Sequence, residues 1–287
     1  MSNSLFGLGR NNFGTKQINW TSDVFKATLL GMTTAAGKIA LISSSTNATP
    51  IALTTTGAHG YAVGDIIVVG GHTTNTAANG TWQCGAGTSG TTINLTTKLD
   101  GVNSTGNGVG GATGWCIDLS TASTLADVSA NSVGVDITLA GESMALGVAN
   151  ASAWTWVNLP ATKVWGFAIY DTTAGNDLIA FIDGTMQVYV ITQAAATATA
   201  IPVARLPVLL PSSPLSTLVF SDGASATMTA QNAIGDTSLA VSSLAAIVHR
   251  QATADTPTNQ CGFPVTPAAG GNLLFTPDAG VNKLFAL

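Results

Sequence analysis

Charge is scarce in this chain. Of its 287 residues, 9 are Lys or Arg and 14 are Asp or Glu, a charged share of 8%, against about 25% in an ordinary globular protein. Folded monomers keep their surfaces soluble with those side chains. Here Thr, Ser, Asn and Gly take that role, which suits surfaces buried in an assembly or presented on dense β-structure. Disordered chains pair high charge with low hydrophobicity. This chain has neither, being 46% hydrophobic, so disorder is excluded. The nine basic residues fall singly in a chain of net charge −5. They form no stripe that could displace counterions from phosphates, so no nucleic-acid partner is expected.

Other chemistry is equally thin. Cys84, Cys116 and Cys261 are an odd number without metal-ligand spacing. A Cys84–Cys116 bridge between the WQC and GWC segments is conceivable, but buried free thiols in a chain made in a reducing cytoplasm are preferred. Glutamate occurs once, as Glu142. A paired-carboxylate mechanism would therefore rest on aspartates, and these sit in turn contexts such as GD, SDG, IDG and PDAG. His59, His72 and His249 lack the i, i+4 helical spacing of a zinc-protease site. His59 and His72 flank one expected hairpin and could meet in space, although a metal would need further ligands. Gly141–Ala145, GESMA, lacks the second glycine of a nucleophile elbow. The expectation is a protein that is not an enzyme, with no cofactor and no metal. The opening MSNSLFGLGRNN has no signal-peptide hydrophobic region, and no apolar run reaches transmembrane length, so no membrane partner is expected.

What the chain does have is β-pattern. Lys163–Gly184 holds two densely apolar runs, Val164–Tyr170 and Leu178–Ile182, around the polar break DTTAGND. Their β-branched and aromatic content favours strands, and each run is too short for an ordinary helix. Seven linking residues exceed a two-residue turn, so an open-loop hairpin is predicted at the centre of the main core.

The predicted fold class is all-β: a multi-module β-sandwich and small β-barrel architecture with an extended N-terminal arm. Residues 1–17 form the arm, polar but for Phe6, Leu8 and Phe13. Residues 18–50, 115–192 and 262–287 form the main domain. It includes strands at Val24–Leu30 and Lys38–Ile42, an alternating strand at Val133–Leu139, another over Thr185–Thr192, and a closing hairpin of Asn272–Phe275 with Lys283–Leu287. Residues 51–114 form an inserted module of closely spaced strands and turns, with Asn79-Gly80 as a hairpin signal. Within it, Gly106-x-Gly108-x-x-Gly111 matches a dinucleotide fingerprint only formally, because no apolar strand precedes it and no helix follows. Residues 193–261 form a Pro-punctuated second insert, with a hairpin-like pair around Ile234-Gly235-Asp236. Its prolines must sit at edges, turns or connections. Trp154 and Trp156 share one strand face. They serve as core or interface anchors ahead of a sugar-stacking platform.

Three stretches carry a resemblance. INWTSDVFKATLL (Ile18–Leu30), with VWGFAIYDTTAGNDLIAFIDG and the terminal LLFTPDAGVNKLFAL, resembles a small all-β module of tailed-bacteriophage virion proteins. AHGYAVGDIIVVGGHTTNTAANGTWQ is similar to small β modules inserted in phage tail and capsid-associated proteins. IPVARLPVLLPSSPLSTLVFSDGASATMTAQNAIGDTSLAVSSL looks like a module of phage head proteins, departing from it at Ser212-Ser213-Pro214. The resemblance implies an architectural, non-catalytic role: a capsid decoration or cement protein on the virion surface, assembled in the host cytoplasm. It would bind the major capsid protein and copies of itself, a trimer suiting a three-fold position. Apolar contact repeated around a symmetric shell would supply avidity. The alternatives are a neck, baseplate or tail component and a carbohydrate-binding adhesin using Trp154/Trp156 or Trp82/Trp115. The candidate interface residues are Phe6, Leu8, Phe13, Trp20, Trp154 and Trp156, with the arm reaching across by strand addition. On this reading, deleting residues 1–17 would weaken attachment and leave the fold intact.

Overall fold

A computed structural model describes residues 4–97, 101–108, 114–145, 147–183, 188–189, 195–202, 217–219, 225–227, 229–230, 238–244, 260–261, 264–267, 269–275 and 284–286. The chain opens with β1 (Ser4–Leu5), α1 (Gly7–Gly14) and β2 (Phe25–Leu30). There follow β3 (Ile39–Ser45), β4 (Ala52–Thr55), β5 (Ile66–Gly70), β6 (Gly80–Cys84), β7 (Thr92–Thr96) and β8 (Gly114–Asp118). Next come β9 (Ser132–Thr138), β10 (Ser143–Ala145), β11 (Val148–Asn150), β12 (Trp154–Leu159), β13 (Gly166–Asp171) and β14 (Asp177–Ile182). The C-terminal part adds β15 (Val188–Tyr189), β16 (Ala200–Pro202), β17 (Thr217–Val219), β18 (Ser225–Thr227), β19 (Ser238–Ala240), β20 (Gln260–Cys261), β21 (Gly271–Phe275) and β22 (Phe285–Ala286). The fold is all-β and built of several modules.

The hairpin expected from Lys163–Gly184 is β13 and β14, the middle of an antiparallel sheet ordered β1-β14-β13-β2-β9. Both of its faces are covered. Phe167, Ile169 and Ile182 face a layer containing Trp20, Trp154 and Trp156. Ala168, Tyr170 and Phe181 face Val68, Trp115 and Ile117. Strands buried on two faces read as unbroken apolar runs, not as alternating ones, which is why this segment stands out in the sequence. A bulge between Ile169 and Tyr170 shifts the register. It sets both Ile179 and Ala180 toward the tryptophan layer.

On one side of this sheet, β12 pairs with β21, and β11 pairs with both β10 and β22. The expected closing hairpin is therefore not one: its two runs join β12 and β11 instead of each other. Partners already present on those strands outcompete the local pairing, and the turn between them lies outside the described residues.

On the other side stands a closed barrel, β3-β4-β7-β6-β5-β8. It takes in more than residues 51–114, since β3 and β8 belong to segments the sequence assigned to the main domain. Closure is the reason. Cys116 on β8 is registered with Ala40 on β3 and with Val69 on β5, which leaves no unpaired edge. Its interior holds Ile67, Val69, Leu53, Ile93, Leu95 and Cys116. Trp115 points outward, its ring 5.9 Å from Phe181 and nearly perpendicular to it, and seats the barrel on the sheet.

One local expectation changes. Asn79-Gly80 is not a two-residue turn: β5 and β6 pair Val69 with Gly80, so the connection runs through Gly71–Asn79. Asn79 has extended backbone (φ −70°), and its side chain bonds His72. The glycine-rich loop leads into strand β8, not a helix, in agreement with rejecting the dinucleotide match. Thr121–Val128, which the sequence leaves open between a short helical turn and a loop, contains a single 3-10 turn, Leu125–Asp127, closed by a Thr124/Asp127 capping box. The Ile234-Gly235-Asp236 turn, most of Thr185–Thr192 and most of the Pro-punctuated segment lie outside the described residues.

Candidate interaction surface

The arm folds back onto its own chain. Ser4 and Leu5 pair with Phe181 and Ala180 on β14, closing that edge of the sheet. The Phe6 amide donates to the Ile179 carbonyl at 3.0 Å and the Gly7 amide to the Leu119 carbonyl at 2.7 Å. Phe6 is fully buried between sheet and barrel. Helix α1 then crosses β14, where Asn12 Nδ2 donates to Asp177 Oδ2 at 2.9 Å. The arm is thus neither extended nor, at Phe6, available to a neighbour: an aromatic ring and a free strand edge stabilise each other within one chain. Leu8 and Phe13 stay half-buried, and Phe13 packs against the tryptophan layer.

Trp20, Trp154 and Trp156 are also core residues. Trp20 Nε1 donates to the Asn150 carbonyl at 2.9 Å, and Trp156 has no exposed surface. Trp154 lies edge-on to Phe167 at 5.7 Å, and Trp156 stacks near the same ring at 5.5 Å. The anchor role expected for this pair is an internal one. Neither ring, nor buried Trp115, offers a face to a sugar. Trp82 is half-buried with Nε1 bonded to the Ala78 carbonyl. Trp165 has the Lys163 ammonium 4.2 Å above its ring.

The polar side chains are committed to backbone. Asp118 accepts from the amides of Ser120 and Thr121, Asp127 from those of Ser123 and Thr124, and Asp65 from Ala62. Of these, Asp65 follows Gly64 and takes the turn role read from the sequence. His59 accepts from the Tyr61 amide at Nδ1 (3.2 Å) and sits 3.0 Å from the Thr92 carbonyl through Nε2. That pattern suits the tautomer with its proton on Nε2. His59 and His72 do not join: among the described residues no group of three His, Cys, Asp or Glu side chains could hold a metal. His249 lies outside the described residues. Cys84 and Cys116 are free and buried in the barrel, each thiol pushed up to about 12, burial being the largest cause. Among the described residues no helix is long and apolar enough to cross a membrane.

Among the described residues the exposed large hydrophobics are Val24, Val63, Val102, Val135 and Val157, and two of them, Val135 and Val157, lie near the opposite edge of the sheet. The alternation of Val133–Leu139 predicts one buried face, yet Val133 and Leu139 are buried while Val135 is 77% exposed. Between the pairs Ala27↔Ile137 and Leu29↔Val133, the residues Gly134, Val135 and Asp136 stand opposite Thr28 alone. Gly134 supplies the positive φ (+78°) that this bulge needs. It also leaves space for Leu159 of β12, whose Cδ2 would lie 2.6 Å from a Cβ there. Val157, on β12, is 53% exposed. A glycine inside an alternating run is the signal that marks this site in the sequence. A bulge disfavours continuous strand addition, so this margin presents side chains, not a regular run of free backbone.

No protein-family model, curated protein or solved structure matches the chain.

Proposed function

We propose that this chain is a non-enzymatic structural protein of a tailed-phage particle: a decoration or cement protein that binds across joints between major capsid subunits, alone or as a homo-oligomer. The observation that carries the reading is the contrast between the two sheet margins. One is closed by the chain's own arm. The other is blunted by a bulge that exposes Val135 on β9, with Val157 exposed on neighbouring β12. Low charge supports it, because desolvating unpaired charges at many repeated joints is costly. The resemblance of three stretches to phage structural modules gives the partner class. A contact of modest affinity suffices when a shell offers it many times over.

The test is sedimentation of the recombinant chain with heads that lack it and, separately, with isolated tails. Binding to heads, weakened by Val135→Asp with Val157→Asp while circular dichroism stays unchanged, is the expected result. Binding to tails instead would assign the chain to neck or tail, and binding to neither would overturn the structural role.

A further inference from the structure

The loop between β5 and β6 covers one end of the barrel and buries one histidine, His72. After β5 the chain turns at Gly71 and runs through His72–Asn79 before entering β6. Asn79 grips the His72 backbone from both sides: its Oδ1 accepts from the His72 amide at 3.0 Å, and its Nδ2 donates to the His72 carbonyl at 2.8 Å. Asn75, with no exposed surface, ties the middle of the loop down. Its Nδ2 donates to Ser45 Oγ and to the Thr46 carbonyl, and its Oδ1 accepts from the Asn107 amide. Lid, β3–β4 turn and the 104–108 loop therefore close one end of the barrel together.

The His72 ring is the odd part of this closure. It is 4% exposed, and neither Nδ1 nor Nε2 has a hydrogen-bond partner. It lies against Gly114, the first residue of β8, where a Cβ would come within 2.6 Å of Nε2. A Cβ at 114 would force the ring to shift. A neutral imidazole with an unmet donor and an unmet acceptor is already unfavourable there. Protonation adds a second donor and a full charge, with nothing to accept either. Residues 71–81, 101–113 and 43–51 contain no charged side chain. On β8 itself, the Asp118 carboxylate is taken up by Ser120 and Thr121, and Cys116 bonds the Ala40 carbonyl and Tyr61. Burial alone holds the ring's affinity for a proton below that of a free imidazole.

We infer that His72 is an acid-sensitive latch: its protonation releases the Gly71–Asn79 lid and opens one end of the barrel. The open form, with the ring in water, binds the proton more readily than the closed form. Lid stability is therefore full above the ordinary imidazole value near 6.5 and falls as pH drops below it.

The experiment is hydrogen exchange on the full chain between pH 7.5 and 5, corrected for the intrinsic pH dependence of exchange. Peptides covering 71–80 and 104–108 should lose protection on acidification by up to about tenfold per pH unit, while β13 and β14 stay protected. His72→Leu, which removes both unmet nitrogens at similar volume, should make those peptides insensitive to pH. An unchanged acid response in that variant, or none in the wild type, would overturn the latch. Independently of any variant, the His72 ring proton resonances should remain those of neutral imidazole at pH 6.5 and shift only as the lid begins to exchange. Titration at the ordinary value with the lid still protected would also refute it.

Discussion

The hydroxyl of Tyr170 on β13 donates to Asp136 Oδ2 on β9 at 2.6 Å, although β2 lies between the two strands. The bulge at Gly134–Asp136 is what places a carboxylate there, so an edge irregularity is fastened to the buried centre of the sheet. Tyr170→Phe should cost about 1.5–2 kcal/mol, the low end of what a bond to a charged group offers, because Asp136 is partly solvated. Burial first, and then Asp136, raise the tyrosine's pKa. Its contribution is complete below pH 10 and lost as pH climbs through the folded value. Urea unfolding at pH 7 and in alkali should show both the loss and a weaker alkaline dependence in the variant.

Phe6 makes the arm part of the fold. Phe6→Ala should destabilise the chain by about 3–5 kcal/mol, the range for truncating a fully buried aromatic. Removing residues 1–14 should lower the thermal midpoint and expose the β14 edge, raising aggregation. A truncated chain as stable and monomeric as the parent would contradict the arm's docking.

The barrel thiols should be inert. With Cys84 and Cys116 pushed up to about 12 from near 9, neither should react with a disulfide reagent at pH 8 unless the barrel opens. Because the folded state favours the protonated thiols, their contribution to stability is intact below pH 9 and is eroded between 9 and 12. Mass-spectrometric mapping of labelled cysteines, native against denatured, checks this.

The tryptophans should not report sugars. With Trp115, Trp154 and Trp156 buried, emission should be blue-shifted and unchanged by glycans. Quenching by a glycan would revive the adhesin reading.

The elements most legible in the sequence are those whose neighbours surround them on both sides. Val164–Ile182 announces itself because both faces of β13 and β14 are apolar, and the turn aspartates do so through local chemistry. Long-range pairing is where legibility ends. Nothing local tells that Leu273 will face Trp156, or that Cys116 will be flanked by Ala40 and Val69. Phe6, Trp20 and Trp156 read alike in the sequence as candidate interface aromatics. Only the assembled sheet shows that they fill their own core and not a neighbour's. The bulge at Gly134 was written in the sequence as a glycine in an alternating run, but which side chain it would expel depends on Leu159 filling the space beside it.

On the proposed function the chain covers a phage head in many copies. Quantitative mass spectrometry of purified particles, giving its ratio to the major capsid subunit, tests that most directly. A ratio approaching that of the subunit itself is the predicted result. A handful of copies per particle, or none, would contradict it.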